Sequence, residues 1–188
     1  MRARLPAIHA PALLDGALTM TDPPLARLTA CGDVEEANAA IGAAISTNSM
    51  EAEHDTLLGT VQRDLLDLAA DLADPRSTRL NPAAHRRLDS ARQQYAPSAP
   101  APPGSHVLAG GNEAAGLLRL ARAVTRRAER SVRILAATEP ERVPPSAAAY
   151  LSALAALLSA VALRVDREDP GNLAMGACGD RPPRARPA

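Results

Sequence analysis

Four arginines and a single glutamate occupy ten consecutive positions, in the segment ARAVTRRAER at residues 121–130. On a helical wheel at about 100° per residue, three of these arginines, the glutamate and two neighbouring arginines fall within a stripe roughly 100° wide. This arginine stripe consists of Arg119, Arg122, Arg126, Glu129, Arg130 and Arg133. Like charges four residues apart destabilise a helix by roughly 0.2–0.5 kcal/mol per pair, so a helix that keeps this stripe predicts an anionic partner. That partner is a phosphate or carboxylate ligand, or the acids of another helix or subunit.

A second interpretation of the arginine stripe needs no ligand. The arginines then bridge to acids of the same chain, such as Glu35, Glu36 or Asp71, or they point into solvent. The opposite side of the wheel is apolar and is expected to pack against the rest of the protein. Its members are Leu117, Leu120, Ala121, Val124, Ala128 and Leu135. The wheel alone does not decide between the two interpretations.

The composition argues against several classes of function. The 188 residues include 21 basic and 21 acidic side chains, so no net charge attracts nucleic acid or an anionic membrane. Tryptophan and phenylalanine are absent and tyrosine occurs twice, which argues against a base-stacking surface. No segment approaches the roughly 20 apolar residues of a membrane span, and Pro6, Pro11 and Asp15 interrupt the N-terminus where a secretory signal is apolar. We therefore expect a cytoplasmic protein with no nucleic-acid partner and no membrane partner.

Five segments have the apolar periodicity of helices, and none has the alternation of a strand. They span residues 33–47, 51–75, 81–95, 112–136 and 144–165. Asp33, Asn81 and Asn112 are expected to cap three of the helices at their N-termini. The fifth segment is apolar nearly all round and is expected to be a buried helix. The predicted fold class is therefore an all-α five-helix bundle.

The predicted domain organisation follows from the same segments. The helical bundle is assigned to residues 26–167, between a flexible N-terminal segment (1–25) and a flexible Pro/Arg-rich tail (168–188). The two cysteines lie far apart and the four histidines have no ligand spacing, so no metal site is expected.

The arginine-rich segment and the turn before it, HVLAGGNEAAG, resemble the signature helix of the ATP:cob(I)alamin adenosyltransferases of the propanediol-utilisation type. In that family a helix reading R-x-x-x-R-R-A-E-R follows a PGG turn. RLTACGDVEEANAAIG and VQRDLLDLAADLADP also resemble family blocks in the same order, and YLSALAALLSAVA does so more weakly. Together the blocks span about residues 26–163.

The resemblance implies a five-helix bundle assembled as a homotrimer, with the active site between neighbouring subunits. It also implies that ATP binds through an N-terminal glycine/threonine loop and through the arginines of the signature helix. The resemblance further implies that a reduced corrinoid lies beside the ATP and that its cobalt attacks the 5′-carbon and releases triphosphate.

The resemblance also assigns roles to individual residues. Arg122 and Arg126 match the arginines that handle phosphate and the subunit contact, and Glu129 matches the acid that works with them. Glu35 stands where the family has an aspartate that pairs across the interface with the counterpart of Arg122. Further expected cofactor-binding positions are Arg27, Asn38, Arg127, Arg130 and Ser152.

The sequence departs from the family pattern where the chemistry is expected. The N-terminal stretch LLDGALTMTDPP only faintly resembles the family's T-x-T-G-D loop, and the chain contains no lysine to supply that loop's cation. Ser152 replaces an asparagine, and Ala155 and Ala156 replace a serine and an aspartate. His106 stands where the family has the phenylalanine that packs on the lower face of the corrin. These departures indicate an altered active site.

We therefore expect a relative whose cleft between subunits binds another anionic small molecule and carries out lyase, cyclase or isomerase chemistry. Arg122 and Arg126 hold the anion in this hypothesis, and Glu129, with His106 or Glu35, acts as acid and base. One alternative is a genuine adenosyltransferase that uses magnesium-bound ATP and cobalamin. The other is a non-catalytic corrinoid or haem carrier with His106 as axial ligand, or a trimeric scaffold. The sequence leaves the cofactor open.

Overall fold

The computed structural model describes residues 25–96 and 112–168, and the elements of this part are helical. They are α1 (Leu25–Ile45), α2 (Ala52–Ala73), α3 (Ala83–Gln94), α4 (Glu113–Thr138) and α5 (Ala147–Glu168), with a short 3₁₀ turn (Pro140–Arg142) between α4 and α5. The predicted all-α five-helix bundle is confirmed. His106, the N-terminal loop and nearly all of the C-terminal tail lie outside the described residues.

Helix α4 is the centre of the packing, because α1 and α5 both lie along it. Helix α2 packs on α1, and α3 packs on α5. Ten of the 22 residues of α5 are buried, which confirms the prediction that this helix belongs to the core. The core consists mainly of alanine, leucine and valine side chains, so closely packed helices supply the burial that large aromatic residues supply elsewhere.

Helix α5 also corrects the expectation that no segment has the length and polarity of a membrane span. This helix has 22 residues, and an 18-residue window of it reaches a mean hydropathy of 1.8, so it is long and apolar enough by length and composition. Half of this stretch is buried inside the bundle, and the core helix of a soluble protein passes the same test. The sequence count missed the helix because Ser152 and Ser159 interrupt its apolar run, although serine lowers the mean hydropathy only slightly.

Two of the three expected helix caps are found. Asn112 accepts hydrogen bonds from the backbone N–H groups of Ala114 and Ala115 at the start of α4. Asn81 accepts one from Ala83 N at 2.8 Å. Asp33 is not a cap, because α1 begins earlier, at Leu25. An acid at the start of a good helix-forming stretch resembles a cap, but the preceding residues also continue the helix here.

The buried side of α4 is rotated relative to the apolar side that the wheel predicted. Ala121, Val124, Ala128 and Leu135 are buried as expected, whereas Leu120 is 55% exposed. Leu120 lies at one edge of the predicted arc, whereas the buried positions extend beyond the opposite edge to Leu118, Thr125 and Val132.

Candidate functional site

A groove with a volume of about 460 Å³ lies between α4 and α5. This α4–α5 groove is lined by Arg122, Arg126, Ser152, Ala155, Ala156 and Ser159. The four α5 residues recur at helical spacing, so they share one face of the helix. The structure thus brings together two predicted arginines, the predicted Ser152 and the two alanines noted as departures. Ser159 was missed, although its position seven residues after Ser152 places it on the same face.

Arg122 is the cation of the groove that has no partner within the described part of the chain. Its side chain is exposed, and it forms no ion pair or hydrogen bond with another described residue. The same holds for Arg130, one turn beyond Arg126 on the exposed side of α4. An arginine without an internal partner keeps all its donors for an external carboxylate or phosphate.

Glu129, the acid of the arginine stripe, is almost fully buried, with a side chain that is 4% exposed. One carboxylate oxygen accepts from Arg126, and the other accepts from Arg133 Nη2 at 2.8 Å. A buried carboxylate requires such partners, because an unpaired charge away from water is costly. Glu129 therefore orients the side chains of Arg126 and Arg133.

Arg127, an expected cofactor-binding residue, is instead engaged with α1. Its Nε donates to Asp33 Oδ1 at 3.0 Å, and its Nη2 donates to Glu36. The hydroxyl of Ser131 donates to the other oxygen of Asp33. These contacts fasten α1 to α4, and Arg127 does not line the α4–α5 groove.

Arg27, also expected to bind a cofactor, is buried at the start of α1. It donates to the carbonyl oxygen of Leu72 and to Glu139 Oε2, the latter at 2.8 Å. The hydrogen bond from Arg27 holds the pKa of the Glu139 carboxyl below its usual range. Arg27 thus joins the ends of three helices and lies away from the groove.

The two predicted site residues on α1 have different surroundings. Glu35 is exposed and forms no ion pair with a described residue. Asn38 has a buried side-chain oxygen without a hydrogen-bond donor, while its backbone carbonyl accepts from Gln62 Nε2 at 3.2 Å. Neither residue lines the α4–α5 groove. His106 lies outside the described residues, so its place relative to the groove remains a prediction.

The acids that were considered as internal partners of the stripe are engaged elsewhere. Glu36 pairs with Arg127. Asp71 accepts from Ser77 Oγ at 2.6 Å and from the backbone N–H groups of Arg79 and Leu80 at 2.7 and 2.9 Å. Glu35 pairs with no described residue. These three acids therefore do not neutralise the arginine stripe.

A larger cleft, of about 570 Å³, lies between α2 and α3. None of the residues predicted as site residues lines it. Its buried charge is satisfied internally, because Asp64 accepts from Arg87 at 2.6 Å and from the hydroxyl of Tyr150 at 3.1 Å. Within the described ranges, no group of three or more His, Cys, Asp or Glu residues has an arrangement suited to a metal ion. The α4–α5 groove is therefore the stronger candidate.

Comparison with known proteins assigns the chain to a family. The family model described as cobalamin adenosyltransferase matches residues 20–165. A corrinoid adenosyltransferase of Mycobacterium tuberculosis is 37% identical over 163 residues, which is 83% of each chain. A cobalamin adenosyltransferase of Cupriavidus metallidurans is 32% identical over 146 residues, which is 78% of each chain.

Solved structures show the same fold. One of them is a PduO-type ATP:corrinoid adenosyltransferase from Lactobacillus reuteri, an arginine-to-lysine variant complexed with ATP. It has a TM-score of 0.63 at 24% sequence identity, and the alignment covers 77% of this chain and 82% of that chain. A phenylalanine-to-histidine variant from the same organism, complexed with cobalamin and ATP, has a TM-score of 0.61 at 26% identity and covers 80% of each chain.

These relatives bear directly on the competing hypotheses. They carry the names of adenosyltransferases, so the expected change to lyase, cyclase or isomerase chemistry has no support among them, and the adenosyltransferase alternative fits better. The resemblance identified from the arginine-rich helix is confirmed across most of the chain. The protein belongs to the cobalamin adenosyltransferase family and is an enzyme of the transferase class.

Proposed function

We propose that the protein is an ATP:cob(I)alamin adenosyltransferase, which makes adenosylcobalamin from magnesium-bound ATP and reduced cobalamin. The observation that carries the proposal is the α4–α5 groove. There, Arg122 and Arg126 line a site that no acid of the described residues other than Glu129 neutralises. The reaction is inferred from the names of the family relatives, and the α4–α5 groove is the proposed binding site for the anionic substrate of that reaction.

The reaction is a nucleophilic displacement at carbon. The electron pair on the cobalt of cob(I)alamin attacks the 5′-carbon of ATP, a Co–C bond forms, and the bond from that carbon to the triphosphate oxygen breaks. The leaving triphosphate takes the electron pair of the broken bond. Negative charge grows on that oxygen in the transition state, so positioned cations next to it lower the barrier.

The groove residues have separate roles in this displacement. Arg122 is exposed and unpaired among the described residues, so it has the most donors available for the triphosphate. Arg126 is held in place by Glu129 and contributes a second, oriented guanidinium. Ser152 offers a hydroxyl that hydrogen-bonds to the substrate where the family has an amide. Arg130 extends the positive surface by one turn.

The histidine at position 106 does not argue against cobalamin as substrate. A Lactobacillus reuteri variant with histidine in place of a phenylalanine is complexed with both cobalamin and ATP. Replacing phenylalanine by histidine is therefore compatible with binding both substrates in a protein of this fold. In the proposed enzyme, His106 lies near the cobalamin, as the resemblance implies.

The proposed enzyme is a homotrimer in the cytoplasm, with residues 26–167 as its folded unit. Glu35 and Arg122 are both exposed, and neither has an ion-pair partner among the described residues of the same chain. A pairing between the two across a subunit interface gives each a partner of opposite charge, and the five N–H donors of Arg122 suffice for both Glu35 and the triphosphate. It also places the α4–α5 groove at the interface, next to a neighbouring subunit.

The decisive experiment supplies purified full-length protein with magnesium-bound ATP and chemically reduced cobalamin. Formation of adenosylcobalamin, followed by its visible spectrum, together with release of triphosphate rather than phosphate, is the expected result. Arg86→Gln, a change on the exposed side of α3, serves as the matched control and should leave the rate unchanged. A folded protein that binds neither ATP nor cobalamin would contradict the proposal and return attention to another anionic substrate.

A further inference from the structure

Arg133 is a residue of the arginine stripe that the proposed mechanism does not use and that contacts Glu129, the acid of the stripe. Its Nη2 and Nε donate to Glu129 Oε1 at 2.8 and 3.2 Å. Arg126 donates to the other oxygen, Oε2, of the same carboxylate. The two guanidinium groups therefore lie on either side of one buried acid and belong to a single charged cluster.

The charge balance of this cluster depends on Arg133. An isolated pair of Arg126 and Glu129 is neutral, and its field at the groove largely cancels. With Arg133 on the second oxygen, the cluster has a net positive charge while its acid stays buried. Arg126 is about half exposed, with a side chain that is 48% accessible, so this charge faces the groove.

We infer that Arg133 is a positioning residue for the polyphosphate of the substrate. By engaging the second oxygen of Glu129, it keeps that acid in place to orient Arg126, and it gives the cluster a net positive charge toward the α4–α5 groove. The inference rests on the proposed function for the identity of that substrate. Arg133 itself does not line the groove, so its effect passes through Glu129. It acts mainly on ground-state binding of the anion, because the cluster is in place before the reaction starts.

The test is calorimetric titration of the full-length protein with inorganic triphosphate. We expect Arg133→Gln to weaken triphosphate binding by about tenfold, the effect of one lost charge near a partly exposed anion. Arg133→Lys keeps the charge and should recover most of the affinity. Arg86→Gln removes the same charge from a helix that does not border the groove and should have no effect.

Kinetics separate positioning from a structural role. Arg133→Gln should raise the KM for ATP and leave kcat close to that of the wild type, since only anion binding changes. The side chain of Arg133 is 61% exposed, so we expect the variant to fold, and circular dichroism checks this. An equal loss in Arg133→Lys, a fall in kcat at unchanged KM, or triphosphate affinity within about twofold of the wild type would overturn the inference.

Failure of the inference and failure of the proposed function give different results. If triphosphate binds and depends on Arg133 but no adenosylcobalamin forms, the inference stands and the proposed reaction is wrong. If adenosylcobalamin forms and the affinity for triphosphate does not depend on Arg133, the proposed reaction stands and the inference is wrong. A wild-type protein that does not bind triphosphate contradicts the inference.

Discussion

The arginines of α4 have three different roles in this protein. Arg127 fastens α4 to α1 through Asp33 and Glu36. Arg126 is oriented by the buried Glu129, and Arg122 has no internal partner among the described residues. Residue type therefore does not identify a ligand-binding arginine. What identifies it is whether it lines the groove and keeps donors that the acids of its own chain do not occupy.

Arg126 provides the test at the residue scale. We expect Arg126→Gln to lower kcat for adenosylcobalamin formation by about 10²-fold, the size found when one preorganised donor is removed from a transition-state site. The fold should survive, because Glu129 keeps Arg133 as partner. Steady-state kinetics and thermal unfolding measure the two effects. Unchanged kcat in a folded variant would place Arg126 outside the reaction.

At the scale of elements, the connection between α2 and α3 depends on Asp71. Its carboxylate accepts three hydrogen bonds from that connection. Burial alone would raise the pKa of Asp71, but the bonds from Arg79, Ser77 and Leu80 outweigh it and hold the pKa below its usual range. The acid thus organises a loop that has no regular backbone pairing of its own.

Because of Asp71, the free energy of unfolding is expected to vary with pH in the acid range. Because its pKa is lower in the folded than in the unfolded state, its contribution is fully present above the unfolded value of about 3.9 and is lost as pH falls through the lower folded value. Asp71→Asn should lower the free energy of unfolding by about 1–3 kcal/mol at neutral pH. Urea denaturation at neutral and acid pH tests this: the difference between variant and wild type should shrink below about pH 4. A constant difference would contradict the assignment.

A second cluster joins the ends of α2, α3 and α5. The buried ring of His54 bonds through Nδ1 to Tyr95 Oη and through Nε2 to Glu168 Oε2, both at 2.8 Å. Burial raises the pKa of Tyr95 to about 12, helped by its hydrogen bond to Glu53. Burial next to Asp64 also raises the pKa of Tyr150.

The chain has two tyrosines, so their ionisation reports on the native packing directly. We expect the folded protein to show no tyrosinate absorbance near pH 10, the usual pKa of tyrosine. The protein in guanidinium chloride should titrate there instead. Both pKa values are raised on folding, so this contribution to stability is complete below about pH 10 and, for Tyr95, is lost as pH rises through about 12. Normal titration of either tyrosine in the native protein would show that its hydroxyl is not enclosed as described.

At the scale of the whole molecule, the proposed trimer can be tested through charge. Glu35→Arg places an arginine opposite Arg122 in the proposed interface, and Arg122→Glu places an acid opposite Glu35. Each single reversal should dissociate the trimer, because like charges then face each other, and the double exchange should restore it. Sedimentation velocity of the wild type and the three variants distinguishes these states. A wild-type monomer, or single variants that stay trimeric, would contradict the proposed pairing.

Local periodicity allowed most of the architecture to be predicted from the sequence. The five helices and the caps at Asn81 and Asn112 depend on contacts within a few residues, which the helix repeat makes visible. The position of α5 in the core was predictable because the helix is apolar nearly all round. The stripe on α4 follows from the same repeat, and the order of the motif blocks identified the family.

Only the tertiary structure decided which charged residues of that stripe remain available. Asp33 was expected to cap α1 but binds Arg127, since α4 happens to lie alongside it. Glu129 is on the polar side of the wheel and is nevertheless buried. The partners of these groups lie on other helices or beneath the helix surface, and ion pairing and burial depend on how helices pack rather than on sequence spacing. The sequence determined where the arginines lie along α4, and the packing of α1 and α5 determined which of them face the groove.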